Sequence, residues 1–245
     1  RKYVLETLSY TTYIFTISDH TAEILKNHGF DNVEVCGDLR IDTMKELTGS
    51  DIPDAIKKLS IHTDRPWFVA GSVWSSDLVI LSRFVKEKHD EIRFLIAPHV
   101  INEKSINEIK KYIELDVALF SEFKGDRQLP DVLILDKYGL LKYAYSIGEW
   151  AFVGGARNRG LHNIFEPLAW GVPVSFLKPH SRFQEAFFFE EMGVAMAIHS
   201  HTDLHYFIEN FNKDKTKEKI NYLMSTRSVS SKILNTIKEK GVPGF

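Results

Sequence analysis

The sequence has one cysteine, Cys36, so no disulfide can form within the chain, and a reducing compartment fits. No apolar run approaches the roughly 18 residues needed to span a bilayer, and no signal-peptide pattern is present. The formal net charge is only −2, which removes any bulk attraction toward nucleic acid or anionic lipid. G-x-G-x-x-G is missing, which argues against a standard dinucleotide site, and so is H-E-x-x-H. Ser72 has no Gly-x-Ser-x-Gly frame and is not expected to be a nucleophile elbow. There is no internal repeat and no low-complexity tract. The chain begins at Arg1 and runs straight into a helix-like segment, so a piece of a longer protein is expected.

What remains is ordinary globular material, 44% hydrophobic and 26% charged, in 245 residues, enough for one large domain or two small ones. From Pro66 onward, short apolar runs alternate with helical patterns. Strands are expected at 67–71, 92–97, 117–120, 132–135, 150–154, 173–177 and 194–198. The helices between them fall near 75–89, 102–113, 140–147, 163–170 and 183–191. Continuous apolar strands that alternate with helices define an α/β fold, a Rossmann-like doubly wound parallel sheet covered on both faces. Residues 1–42 read as strand–helix–strand with no sheet of their own, the tail of a preceding domain. Ser18 is the expected N-cap and Gly29 the C′ residue of the helix in that segment. Residues 43–65 read as a linker with one helix near 53–60, residues 66–215 as the Rossmann-like domain, and 216–245 as a C-terminal helix.

In an open α/β sheet, ligands sit at the carboxyl ends of the strands. Gly71-Ser72, Pro98-His99, Lys137-Tyr138-Gly139, Gly154-Gly155-Ala156 and Lys178-Pro179-His180 fall at such ends. Small residues there let a ligand approach backbone N–H groups, while His99, Arg157, Arg159, His162 and Lys178 supply cationic or cationisable side chains that suit a phosphate. Asn163-Ile164-Phe165-Glu166 has the form of a capping box, and a helix N-terminus favours an anion. The same pair also reads as a plain helix cap; spacing alone favours the cap, and the preceding double glycine favours a site. His199, His201 and His205 lack metal-ligand company and read as exposed polar residues at a helix start. Phe187, Phe188 and Phe189 read as core, and Lys213–Lys219 as a solvated face.

Six segments in this order carry a family resemblance: GDLRID (37–42), VAGSVW (69–74), APH (97–99), YGLL (138–141), FVGGARNRGLHNIFEP (152–167) and GVPVSFLKPHSRFQEA (171–186). Together they resemble the 3-deoxy-D-manno-octulosonic acid (Kdo) transferases of lipopolysaccharide synthesis. That family has a GNLKFD-type segment, an AGST-type turn, a PRH motif, a T-M-G-E-L segment, VGGS…GGHNPLEPA and GKPVLFGPH.

The resemblance implies the C-terminal domain of a GT-B glycosyltransferase. It implies an inverting, metal-independent transfer of Kdo from CMP-Kdo to a lipid A precursor, with no cofactor. The donor site it implies comprises Pro98, His99, Tyr138, Gly139, Leu140, Gly154, Gly155, Arg159, His162, Asn163 and Glu166, with Glu166 facing ribose hydroxyls. The implied partners are the donor, the lipid acceptor and the protein's own N-terminal domain, but no nucleic acid. That other domain would carry the general base and a peripheral association with the cytoplasmic face of the inner membrane. A UDP-sugar-dependent transferase or epimerase of the same architecture, or a non-catalytic binding module, are the alternatives.

The sequence departs from the family pattern in three places. His99 stands for the arginine of PRH, Leu140 for the acid of the G-E-L segment, and the loop after Gly155 is one residue shorter and carries Arg157 and Arg159. If those arginines replace the missing one, Arg159→Ala weakens CMP binding far more than Lys178→Ala; equal losses in a calorimetric titration would sink the substitution argument.

Overall fold

The computed structural model describes residues 2–61, 63–123, 129–156, 160–178, 183–226 and 228–241. The chain divides into two compact units, one of residues 1–46 with 223–245 and one of residues 47–222.

In the first unit, α1 (Lys2–Leu8) precedes β1 (Ile14–Thr16), α2 (Asp19–Lys26) and β2 (Val33–Val35). The two strands pair in parallel with each other, Phe15 opposite Glu34, so the segment read as lacking a sheet makes a two-stranded one. Ser18 caps α2, its hydroxyl accepting from Thr21 N–H at 3.3 Å. Gly29 takes φ +86° just beyond the helix end, a backbone region that suits glycine. Ala22, Leu25 and Val33 form the small core of the unit.

Next comes α3 (Arg40–Thr48), then α4 (Asp54–Ile61), where a linker with one helix was expected. The polar composition hid α3, but Ile41 and Met44 lie three apart on one buried face.

The second unit is built on β3 (Trp67–Val73), β4 (Arg93–Pro98), β5 (Val117–Leu119), β6 (Val132–Ile134), β7 (Gly148–Val153), β8 (Val174–Leu177) and β9 (Ala195–Ile198). All seven run parallel in the order β5-β6-β4-β3-β7-β8-β9. The crossover helices are α5 (Ser75–Lys88), α6 (Glu103–Ile113), α7 (Leu141–Ala144), α8 (Phe165–Ala169) and α9 (Gln184–Glu191), and α10 (His201–Asn210) follows the last strand. Parallel strands covered on both faces bury most of their side chains, and Phe68, Val69, Leu95, Ile96, Phe152 and Phe176 have no exposed area. Phe68, Phe84 and Phe94 pack ring to ring at 5.3–5.8 Å in one core layer. The expected C-terminal helix is two helices, α11 (Lys213–Thr226) and α12 (Val229–Glu239). Among the described residues, no helix is long and apolar enough to cross a membrane.

At the amino end of β4, Arg93 is almost fully buried. Its guanidinium donates to Asp64 Oδ1 at 2.7 and 2.9 Å and to the carbonyls of Leu129 and Pro130 at 2.6 and 2.8 Å. Those hydrogen bonds hold the Asp64 carboxyl below the usual carboxylate range. Arg93→Met strands two inward carbonyls, so a loss of about 2–3 kcal/mol is expected in urea unfolding. A loss below about 0.5 kcal/mol, the ordinary surface range, would refute the role.

Candidate functional site

The strand order reverses between β3 and β7: the chain builds outward from β3 through β4 to β5 and β6, then returns to the other side of β3. That switch point leaves a crevice at the carboxyl ends of the two strands. Chain geometry there is unusual. The pairing of β3 with β4 shifts register between Ala70 and Val73, and Ser72 adopts φ +52°. A non-glycine residue in that region costs of the order of 1–2 kcal/mol and needs its surroundings to hold it.

The surroundings are visible. Gly154 N–H donates to Gly71 O at 2.9 Å, and a Cβ on Gly154 would lie 2.4 Å from Ser72 O and 2.5 Å from Asp77 Oδ2. A Cβ on Gly155, at φ +99°, would lie 2.5 Å from both Gly160 O and His162 Cδ2. The glycine pair therefore serves close packing of backbone and ring. Asp77 is fully buried at the start of α5, and its Oδ2 accepts from Trp74 N–H at 2.9 Å and Gly155 N–H at 3.3 Å. One carboxylate thus fixes the turns after both strands.

Ser72, Gly139, Lys142, Tyr145, His162, Asn163 and Glu166 line a cavity of about 290 Å³, with Leu141 and Val153 as apolar wall. Burial pushes the Glu166 carboxyl above its ordinary range, against the Asn163 amide at 3.2 Å and the Lys142 charge, which pull it down. Burial, reinforced by Glu166, raises Tyr145 well above an ordinary phenol. The Tyr145 hydroxyl sits against Gly71, where a Cβ would come within 1.9 Å of it.

The expected capping box is not formed. The α8 N-cap is Ile164, and Asn163 Oδ1 accepts from Phe165 N–H at 3.1 Å in an Asx-type turn. Glu166 meets the Asn163 side chain rather than its backbone, because the N-cap falls one residue later than the pattern placed it.

Beside the cavity lies a ring cluster. The Trp74 and His162 rings are within 6° of parallel, and Trp74 Nε1–H donates to His162 Nε2 at 3.1 Å. His99 stacks on both, 4.3 Å from Trp74 and 4.4 Å from His162. Burial and the nearby His99 lower the affinity of His162 for a proton. A second pocket, of about 220 Å³, opens past Trp74, Pro98 and His99 toward Asn102 and Lys104.

The structure therefore gathers Gly139, His162, Asn163 and Glu166 in one cavity and sets Pro98 and His99 at the next. Gly154 and Gly155 lie behind them as packing positions. Tyr138 is largely exposed, its hydroxyl accepting from Ile101 N–H at 3.3 Å, and Leu140 is the N-cap of α7; neither lines the cavity. Arg157, Arg159, Pro179 and His180 lie outside the described residues. Ser72, Lys142 and Tyr145 line the cavity and Trp74 the second pocket, though none is among the donor-site residues that the resemblance implies. Ser72 and Trp74 sit in the VAGSVW segment, so their signal was present, whereas Tyr145 reads as a core aromatic.

Other expectations need correction. His201 and His205 are not free surface groups: His205 Nε2 lies 2.8 Å from Glu87 Oε2, and His201 Nε2 3.8 Å from Glu87 Oε1. Only Phe189 of the phenylalanine triplet is fully buried, and Phe187 is 45% exposed, since consecutive helix positions point about 100° apart. Lys213 is partly buried and donates to Ser146 O and Gly148 O at 3.1 and 2.7 Å, so the lysine-rich face is not wholly solvated.

The sheet order, the parallel strands and the switch-point crevice define a Rossmann-like domain of the GT-B kind. No protein-family model matches the sequence. The C-terminal CMP-Kdo binding domain of WaaA from Acinetobacter baumannii superposes with a TM-score of 0.56 at 17% identity, over 80% of this chain and 97% of that one. A UDP-GlcNAc 2-epimerase from Neisseria meningitidis superposes at 0.62 with 15% identity, over 94% and 61%. By sequence, the chain is 27% identical over 188 residues to the 3-deoxy-D-manno-octulosonic acid transferase of Aquifex aeolicus, covering 74% of this chain and 48% of that protein. It is 33% identical over 131 residues to the same enzyme of Chlamydophila psittaci, covering 52% and 30%. In sequence the chain is similar to part of the 3-deoxy-D-manno-octulosonic acid transferases, and in fold to the C-terminal domain of one of them. It spans half or less of the length of these two relatives.

Proposed function

We propose that this chain is the donor-binding half of a glycosyltransferase that moves Kdo from CMP-Kdo to a lipid A precursor in lipopolysaccharide synthesis. The observation that carries the reading is the cavity at the β3/β7 switch point. It is lined by His162, Asn163 and Glu166 of the segment that most resembles the family. A carboxylate, an amide and an imidazole suit the hydroxyls of a ribose, and Lys142 supplies positive charge at the same rim. Transfer proceeds with inversion and without a metal; the general base that deprotonates the acceptor comes from outside these 245 residues, as does the association with the membrane surface. The acceptor is expected to meet the open side of the cavity only in the whole enzyme.

Calorimetric titration tests the donor. CMP is expected to bind at least about tenfold more tightly than UDP, a difference of about 1.4 kcal/mol. Equal or tighter UDP binding would overturn the reading in favour of a UDP-dependent enzyme of this architecture. The 245-residue chain alone is expected to bind CMP weakly and to transfer no sugar; turnover by it would place the base within this chain.

A further inference from the structure

His162 has two ring nitrogens, and the structure gives one of them a partner from another crossover. Trp74 Nε1–H donates to Nε2 at 3.1 Å, and an indole N–H can only donate, so Nε2 must be the unprotonated, accepting nitrogen. A neutral imidazole with Nε2 accepting carries its proton on Nδ1. Three things hold the ring in this pose. His99 stacks on it at 4.4 Å, Trp74 is nearly coplanar with it at 6°, and the Gly155 backbone closes the side where a Cβ would come within 2.5 Å of Cδ2. His162 lines the switch-point cavity together with Asn163 and Glu166.

We propose that Trp74 is a positioning residue that fixes His162 as a neutral imidazole donating through Nδ1–H to the ligand in the switch-point cavity. The ligand half of this rests on the nucleotide-sugar reading above. The group addressed is an acceptor oxygen, such as a hydroxyl or carbonyl of the nucleoside, because a neutral ring brings no charge to a phosphate. Among the described residues, the charged and titratable groups around the ring are His99 stacked on it, the Asp77 carboxylate held by Gly155 N–H, and Glu166, Lys142 and Tyr145 along the cavity. Burial and His99 both disfavour a second proton on His162, in the same direction as the indole. Without the indole N–H, the neutral form loses its hydrogen bond, so the ring gains protons at higher pH.

The test uses nitrogen-15 NMR of the 245-residue chain. His162 is picked out of the ten histidines by comparison with His162→Gln. The wild type is expected to show the Nδ1–H tautomer and to titrate below an ordinary histidine. Trp74→Phe keeps an aromatic ring in place and is expected to show mixed tautomers and a midpoint at higher pH. An Nε2–H tautomer in the wild type, or identical titration of the two proteins, would overturn the assignment of Trp74. For the ligand half, His162→Ala is expected to weaken CMP binding about tenfold while His162→Gln, which can accept from Trp74 and still donate, stays close to wild type. Undiminished binding by His162→Ala would remove that half. If CMP binds none of these proteins, the donor reading falls with the ligand half, and the nitrogen spectra still decide the role of Trp74.

Discussion

Gly154→Ala is expected to lower the stability of the 47–222 unit by about 2–3 kcal/mol, the cost of forcing atoms into a packed site. It is also expected to abolish measurable CMP binding. The added methyl has no flexible neighbour to displace. It would meet the Ser72 carbonyl at 2.4 Å and the Asp77 carboxylate at 2.5 Å. The Ser72 carbonyl belongs to the register break in β3, and Asp77 ties the turn after β3 to the turn after β7. The strands must therefore part at the end that holds the cavity. Gly139→Ala is the control. Nothing lies within 4 Å of its Cβ position, so only the backbone cost at φ +79° applies, about 1 kcal/mol. Urea midpoints at unchanged slope measure both. A Gly154→Ala midpoint equal to that of Gly139→Ala would mean that the contact relaxes freely.

Glu166→Gln is expected to weaken CMP binding by about 10- to 100-fold, the loss of a charged hydrogen bond. The same substitution is expected to raise the melting temperature of the ligand-free protein at neutral pH. The sign follows from burial, the largest influence on this carboxyl, which raises its folded-state proton affinity. A group raised in the folded state stabilises below its unfolded range and loses that contribution as pH climbs through the folded value. At neutral pH the ionised Glu166 is therefore a burden that glutamine removes. The melting temperatures of the two proteins should converge as pH falls below the carboxylate range. A Glu166→Gln protein that melts lower at pH 7 and binds CMP as well as wild type would show that the carboxylate serves only to hold α8.

Much of this architecture could be read from the sequence, and the reason is physical. Strands buried on both faces leave unbroken apolar runs such as WFVA and FLIA, while amphipathic helices such as α6 carry Ile109 and Ile113 four apart on the buried face. What escaped the sequence lies in through-space encounters. Trp74, His99 and His162 follow three different strands, and no spacing rule brings three rings within 4.3–6.4 Å. The left-handed Ser72 was hidden because serine is not a residue that marks such a turn. Asn163 and Glu166 fitted a capping pattern that the backbone does not use, since the Asx turn captured the Asn163 side chain first. Polar segments misled in the other direction: α3 and the Lys213 anchor are structured despite compositions typical of solvated chain.

The backbone at Ser72 has a bearing on laboratory evolution. Selection for heat resistance rewards the release of stored backbone strain, and glycine at a left-handed position releases about 1 kcal/mol in the folded state. Ser72 lines the switch-point cavity, so Ser72→Gly is expected to remove its hydroxyl from that lining and to loosen the turn that carries Trp74. A library sorted on melting temperature alone would enrich Ser72→Gly and drift away from binding, whereas one sorted on ligand capture would keep the serine.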